Sequence, residues 1–318
     1  MPENLVVSIL RACRDPLLVQ LSMLPHGFHV AAIHAAFPSI SAKRSLHLVP
    51  RLLGDSRVTV LLPSIASFTE LQTLVLGFDR LDGATVHALG PVVGKLAAHS
   101  LRHLTLDFHS SISGGMRPPR PRDFDVRAHP CHKETGSRGA AALGKSFAHL
   151  ICLHTLNVAC NGIGAEGVRS LAPALANAAT LQHLNLGQSE LGSEGAIALA
   201  QHLAHLTALS HLNLEGNGIH ANGVAALAPE LALLTALQHL MMAGNDTNGE
   251  GASALGPHLA KLTLLVHLNL VDNGITAEGT AALAPHLACL TGLTGLHLSA
   301  NQIAVSYTHL TLPTNREV

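Results

Sequence analysis

The chain has 318 residues, 47% of them hydrophobic, with 19 Lys and Arg against 20 Asp and Glu and a formal net charge of −1. Such an apolar, nearly neutral composition excludes a disordered chain. It also excludes a generic binder of phosphate backbones, which needs an excess of Lys and Arg.

Residues 1–42 carry no clean internal repeat and are expected to form an N-terminal helical cap. The stretch 16–42 has no charged residue and is long enough to cross a bilayer. Pro25, His26, Gly27, His29, His34 and Pro38 interrupt it, so no membrane span is expected. Met1-Pro2-Glu3-Asn4 lacks a basic n-region and Arg11 ends the apolar run that follows, which makes a poor secretory signal. Five cysteines, odd in number and without a CxxC, suggest neither a disulfide framework nor a thiolate zinc site. The expected compartment is the reducing cytoplasm.

From residue 43 onward the sequence repeats. Degraded or partial copies start at Lys43, Leu71 and Leu101, followed by six copies of Leu-x-x-Leu-x-Leu/Val/Met spaced by 28 residues, at Leu153, Leu181, Leu209, Leu237, Leu265 and Leu293. These make nine strand motifs. The second half of each unit switches to a 3.6-residue period, as in Val168/Leu171/Leu175 and Val224/Leu227/Leu231, so a short helix follows each strand. Glu166, Glu194, Glu250 and Glu278, each followed by Gly, place a carboxylate at the positive end of such a helix. Pro91, Pro173, Pro229, Pro257 and Pro285 recur at one helical phase. That phase is either a helix start or a solvent face where water reaches the freed carbonyl.

The motif Leu-x-x-Leu-x-Leu-x-x-Asn-x-Ile with a following helix, in 28-residue units, resembles the ribonuclease-inhibitor-type leucine-rich repeat. The resemblance covers 43–303 and implies an α/β fold: a leucine-rich repeat solenoid, or horseshoe, with a parallel concave sheet and convex helices. Its known members include inhibitors, NOD-like receptor sensor arms and Ran-specific GTPase-activating proteins. Function is therefore left open by fold.

Two stretches depart from the period. Leu101 and Leu153 are 52 residues apart, and the excess at about 113–138 is a Pro/Arg-rich insertion, expected to be a solvated basic loop. His129-Pro130-Cys131-His132 within it is too short a cluster to suggest a metal site. Residues 304–318 have no repeat character, resemble a translated sequencing-adapter tail, and are set aside from fold reasoning as a non-repeat artefact.

Alternation along each strand sends positions one, four and six into the core and positions three, five, seven and eight to the concave face. Position three is His103, His183, His211, His239 and His267; position five is Asn157, Asn185, Asn213 and Asn269, with Met241 and His297 in the other late units. His183 to His267 form a row that reads either as a pH- or metal-responsive surface or, preferably, as a polar ladder copied by repeat duplication, since no carboxylate or thiolate is regularly placed beside it. Asn161, Asn217, Asn245, Asn273 and Asn301 at position nine are expected to satisfy backbone groups of the turn.

No Gly-x-Ser-x-Gly, phosphate-binding Gly-x-x-x-x-Gly-Lys or His-Glu-x-x-His occurs, so no catalytic residue, metal or cofactor is expected. The expected function is a non-enzymatic, monomeric scaffold that holds a partner protein, with no nucleic acid or membrane involved. Candidate contacts are His183, Asn185, Gln188, His211, Asn213, Glu215, His239, Met241, His267, Asn269, Asp272 and His297. The alternatives are a Ran-specific type of GTPase-activating protein and a detached NOD-like receptor sensor arm. A face without Trp or Tyr offers few strong anchors, so moderate affinity is expected.

Overall fold

The computed structural model describes residues 151–303 continuously, together with 19–20, 44–48, 62, 65–66, 70–77, 83–97, 100–107, 140–141 and 144. The insertion at 113–138, the tail at 304–318 and all of the expected cap except residues 19–20 lie outside the described residues.

Ten strands are described: β1 (Val19–Gln20), β2 (Ser45–Leu48), β3 (Thr73–Gly77), β4 (His103–Asp107), β5 (Thr155–Asn157), β6 (His183–Asn185), β7 (His211–Asn213), β8 (His239–Met241), β9 (His267–Asn269) and β10 (Gly295–His297). They form one open parallel sheet in chain order. Val19–Gln20 pairs with β2 and adds one strand to the nine motifs of the sequence. The 52-residue interval leaves the sheet uninterrupted, because β5 pairs with β4 in the same register as every other neighbour, Thr155 against His103.

Six helices are described: α1 (Gly83–Ala97), α2 (Gly164–Leu175), α3 (Gly192–Leu203), α4 (His220–Leu231), α5 (Asn248–Leu259) and α6 (Ala277–Leu287). Among them α2 to α6 pack side by side as the outer layer. Leucines at strand positions one, four and six, such as Leu209, Leu212 and Leu214, meet helical Val224, Leu227 and Leu231 in a core in which each is at most 1% exposed. A parallel sheet covered by helices on one side follows from this pattern, since each unit can bury its apolar stripe only against the next. No helix among the described residues is long and apolar enough to cross a membrane.

The strands are short because the chain turns at once through left-handed backbone at position eight. Glycine supplies it at Gly216 and Gly244, while Cys160, Gln188, Asp272 and Ala300 adopt it without that freedom. The helical prolines resolve one of the two alternatives. Pro173, Pro229, Pro257 and Pro285 fall in the last turns of α2, α4, α5 and α6, and all are exposed. The residues four positions earlier, Arg169, Ala225, Ser253 and Ala281, are exposed as well. The carbonyl that each proline leaves without its helical donor is thus on the water side.

The position-nine asparagines form a ladder between units. Asn245 Oδ1 accepts from the backbone N–H of Asn217 at 3.0 Å, and its Nδ2 donates to the carbonyls of Leu214 and Met242, both at 2.9 Å. Asn217 and Asn273 repeat the arrangement one unit on either side. Asn161 Nδ2 reaches back to the Leu106 carbonyl at 2.9 Å, which carries the ladder over the irregular interval. The amides serve not only their own turn, as expected, but also the unit before it. Ser189 interrupts the series, its shorter hydroxyl contacting Val158 and Gly187 carbonyls at 3.4 and 3.3 Å.

Candidate functional site

Parallel register sets the third-position residues of β6 to β9 directly beside one another, His183 to His211 to His239 to His267. Strands ~4.8 Å apart allow flat rings to stack. The rings do so, with centroids 4.2, 4.1 and 4.8 Å apart and interplanar angles of 22°, 13° and 23°. The stack stops at β5, where Thr155 takes the same position and its Oγ1 lies 3.0 Å from His103 Nδ1. His103 and His154 form a looser tilted pair beyond it, at 6.4 Å. At the other end Gly295 occupies the position, and a Cβ there would collide with the His267 ring.

Hydrogen bonding sets the state of one ring. Ser210 Oγ donates to the Gln182 carbonyl at 3.0 Å, so its contact with His211 Nδ1 at 2.8 Å leaves it as the acceptor. Neutral His211 therefore carries its proton on Nδ1 and turns the Nε2 lone pair outward, an assignment made from the network. His183 Nδ1 is buried with no hydrogen-bond partner.

Burial, then His239 and His183, bring the His211 pKa down to about 4. Burial, then His267 and His183, lower that of His239, while burial followed by His154, His183 and Arg102 lowers that of His103. The folded chain thus binds fewer protons than the unfolded one below an unfolded-state pKa of about 6.5. The stability from the neutral stack is complete above that pH and is lost as the pH falls toward 4. Urea midpoints measured from pH 7.5 to 4.5 are expected to fall across this window, and a His211→Gln/His239→Gln variant to fall less. Parallel curves for the two proteins would refute the coupling.

The fifth-position asparagines have a structural task that the sequence did not suggest. Asn157, Asn185, Asn213 and Asn269 each accept, through Oδ1, the backbone N–H two residues on, at 2.8 to 3.1 Å. This Asx-type bond starts the turn. Asn269 Nδ2 also donates to Glu215 Oε1 at 2.7 Å, across the whole intervening unit that carries Met241 and Ala243. Burial raises the Glu215 pKa, and the hydrogen bonds from Asn269 and Asn213 oppose that rise.

The remaining candidates are placed as follows. Met241 and Gln188 are half-buried, and Gln188 Oε1 accepts from Cys160 Sγ at 3.4 Å. Asp272 and His297 are exposed. Thr155 and Gly295 end the row and Ser210 holds one of its rings, although their residue types gave no sign of it. Only their register beside a histidine could have indicated it. Among the described residues no cluster of three or more His, Cys, Asp or Glu is placed to hold a metal ion.

The sequence matches the family model described as Leucine Rich repeat at residues 149–172, 177–200, 205–228 and 261–284. No curated protein matches it. Among solved structures, the chain is similar to an internalin from Listeria monocytogenes, with 17% identity over 85% of this chain and 78% of that one and a TM-score of 0.43. It is also similar to TLR13 in its complex with ssRNA13, with 15% identity over 90% of this chain and 32% of that one and a TM-score of 0.47. The four matched segments fall in frame with the units of β5, β6, β7 and β9, and the strand, turn and helix that recur in each build the open sheet and outer helices of a leucine-rich-repeat solenoid.

Proposed function

We propose that this is a non-catalytic scaffold of the ribonuclease-inhibitor type that holds a partner protein on its concave face, acting as a cytoplasmic monomer. The observation that carries the reading is the sheet face of β5 to β9, where half-buried Thr155, His183, His211, His239 and His267 stand in line at position three and Asn157, Asn185, Asn213 and Asn269 at position five, with Met241 between the last two. The test places a photo-crosslinking residue at Asn185, Met241 or His297 on the sheet face, and at Ser170, Ala225 or Ser253 on the helical face, in the full chain in native lysate. Discrete adducts are expected from the first set. Adducts from the helical set alone would refute the reading.

A further inference from the structure

The concave face of β5 to β10 has an unusual inventory of charge. Positions three, five, seven and eight of these six units hold twenty-four side-chain sites, and none is Lys or Arg. Two are carboxylates, Glu215 at position seven and Asp272 at position eight. The five histidines, four of them in the stack, are the only groups there that can become cationic. Charge of the opposite sign begins only past β5, where His154 and exposed Arg102 border His103. With imidazoles neutral, the face is formally −2. With the stack protonated it is positive.

The stack also has a direction. His211 points a lone pair, not an N–H, away from the sheet, because Ser210 holds its Nδ1 proton. Rings only 4.1 to 4.8 Å apart resist simultaneous protonation, so the acceptor state persists well into acid. An occupant suited to such a surface supplies hydrogen-bond donors and positive charge.

We propose that the occupant of the concave face is a Lys/Arg-rich segment of the partner protein, laid across β6 to β9 with its cations toward Glu215 and Asp272 and its donors on the imidazole edges, and that protonation of the histidine stack expels it. This deepens the scaffold reading above and rests on it. An acidic segment meets the reverse situation: a lone pair at His211, two like charges, and no cation on the face until several imidazoles have taken up protons. Reciprocity follows, since an occupant that prefers the neutral stack must lower its proton affinity further.

The experiment uses the full chain and two fluorescent twelve-residue peptides, one alternating Arg and Ser and one alternating Glu and Ser, with anisotropy read from pH 7.5 to 5.0 at 50 mM salt. The Arg peptide is expected to bind at pH 7.5 and to weaken about threefold or more by pH 5.0, as the first imidazoles of the row take up protons and offset the two carboxylates. Glu215→Gln and Asp272→Asn should each weaken it about fivefold at pH 7.5, the value of one charge contact near the surface. Glu250→Gln and Glu278→Gln on the helical face serve as controls and should leave it unchanged. Replacing His183, His211, His239 and His267 with Gln together should keep binding at pH 7.5 but remove the loss on acidification. Tighter binding of the Glu peptide, or equal effects of the two carboxylate pairs, would overturn the proposal. If concave crosslinks to a partner form while the Arg peptide fails to bind, the scaffold reading stands and this inference falls; if the crosslinks come only from the helical face, both fall.

Discussion

Leu212→Asp is expected to unfold the centre of the repeat array, whereas Asn213→Asp, one residue later, leaves it folded. Leu212 is 1% exposed and faces the helices, so the substitution removes a large apolar contact and leaves a lone carboxylate in a cavity without a partner. Together these effects cost about 4 kcal/mol or more, against a total stability of about 5–15 kcal/mol for an ordinary domain. Because units of a solenoid lean on their neighbours, the damage spreads along the array instead of remaining local. Asn213 faces the opposite side, and an aspartate keeps the oxygen that accepts the Glu215 N–H at 2.8 Å. Its change should stay within about 1 kcal/mol, mainly from the like charge of Glu215. Hydrogen exchange read by mass spectrometry distinguishes the two. Protection should vanish over 181–260 in the first variant and persist in the second, and matching losses would mean that the strand faces are assigned the wrong way round.

Asn245→Ala carries the next largest expected effect, about 3–5 kcal/mol, which is high for the loss of one polar side chain. The amide is fully buried and serves five backbone groups from two neighbouring units: the N–H groups of Asn217 and Ile219 and the carbonyls of Leu214, Met242 and Ala243. Truncation strands the two N–H groups in a dry interior, while the Leu214 and Met242 carbonyls each keep one donor, Asn217 Nδ2 and Asn273 Nδ2. An unmade buried hydrogen bond costs the desolvation of each group it strands, which is why the effect exceeds that of a typical single bond. Exposed Asn222 supplies the comparison, and Asn222→Ala should change stability by less than about 0.5 kcal/mol. Guanidinium unfolding monitored by circular dichroism gives both values. Similar midpoints for the two variants would show that the ladder contributes little to holding the units together.

The two variants also separate what could be read along the chain from what could not. The Leu212 result depends only on alternation: a strand has a period of two, so knowing that Leu209, Leu212 and Leu214 recur every 28 residues is enough to assign their side. The Asn245 result depends on the same period, yet its size comes from the neighbouring units. The sequence shows an asparagine recurring after each strand. It does not show that the amide bonds backward to a carbonyl thirty-one residues earlier.

The histidine row was legible as a row and illegible as chemistry. A shared position in consecutive 28-residue units, plus the spacing of parallel strands, forces His183, His211, His239 and His267 into line. Whether the rings stack, which nitrogen holds the proton and where the series ends depend on side-chain torsions and on what stands at the next position. Ser210 and Gly295 decide these, and neither has a residue type that announces it. The hydrogen bond from Asn269 to Glu215 shows the same limit more sharply. A reading by nearest-neighbour units has no place for a contact that skips one, and this contact exists because Ala243 at the same position of the intervening unit is short.

By itself the sequence determined the repeat, the parallel order of its strands, the inward leucines and the outward rows, because periodicity is a one-dimensional property that maps directly onto a solenoid's one-dimensional stacking. Tertiary structure alone decided the solvent side of the helical prolines, the turn-forming role of the fifth-position asparagines, the tautomer of His211 and the bridge over Met241. Each of these is settled by a distance or an exposure between groups from different units or opposite ends of a turn. Such quantities arise only when the units are stacked, and no spacing within a single unit contains them.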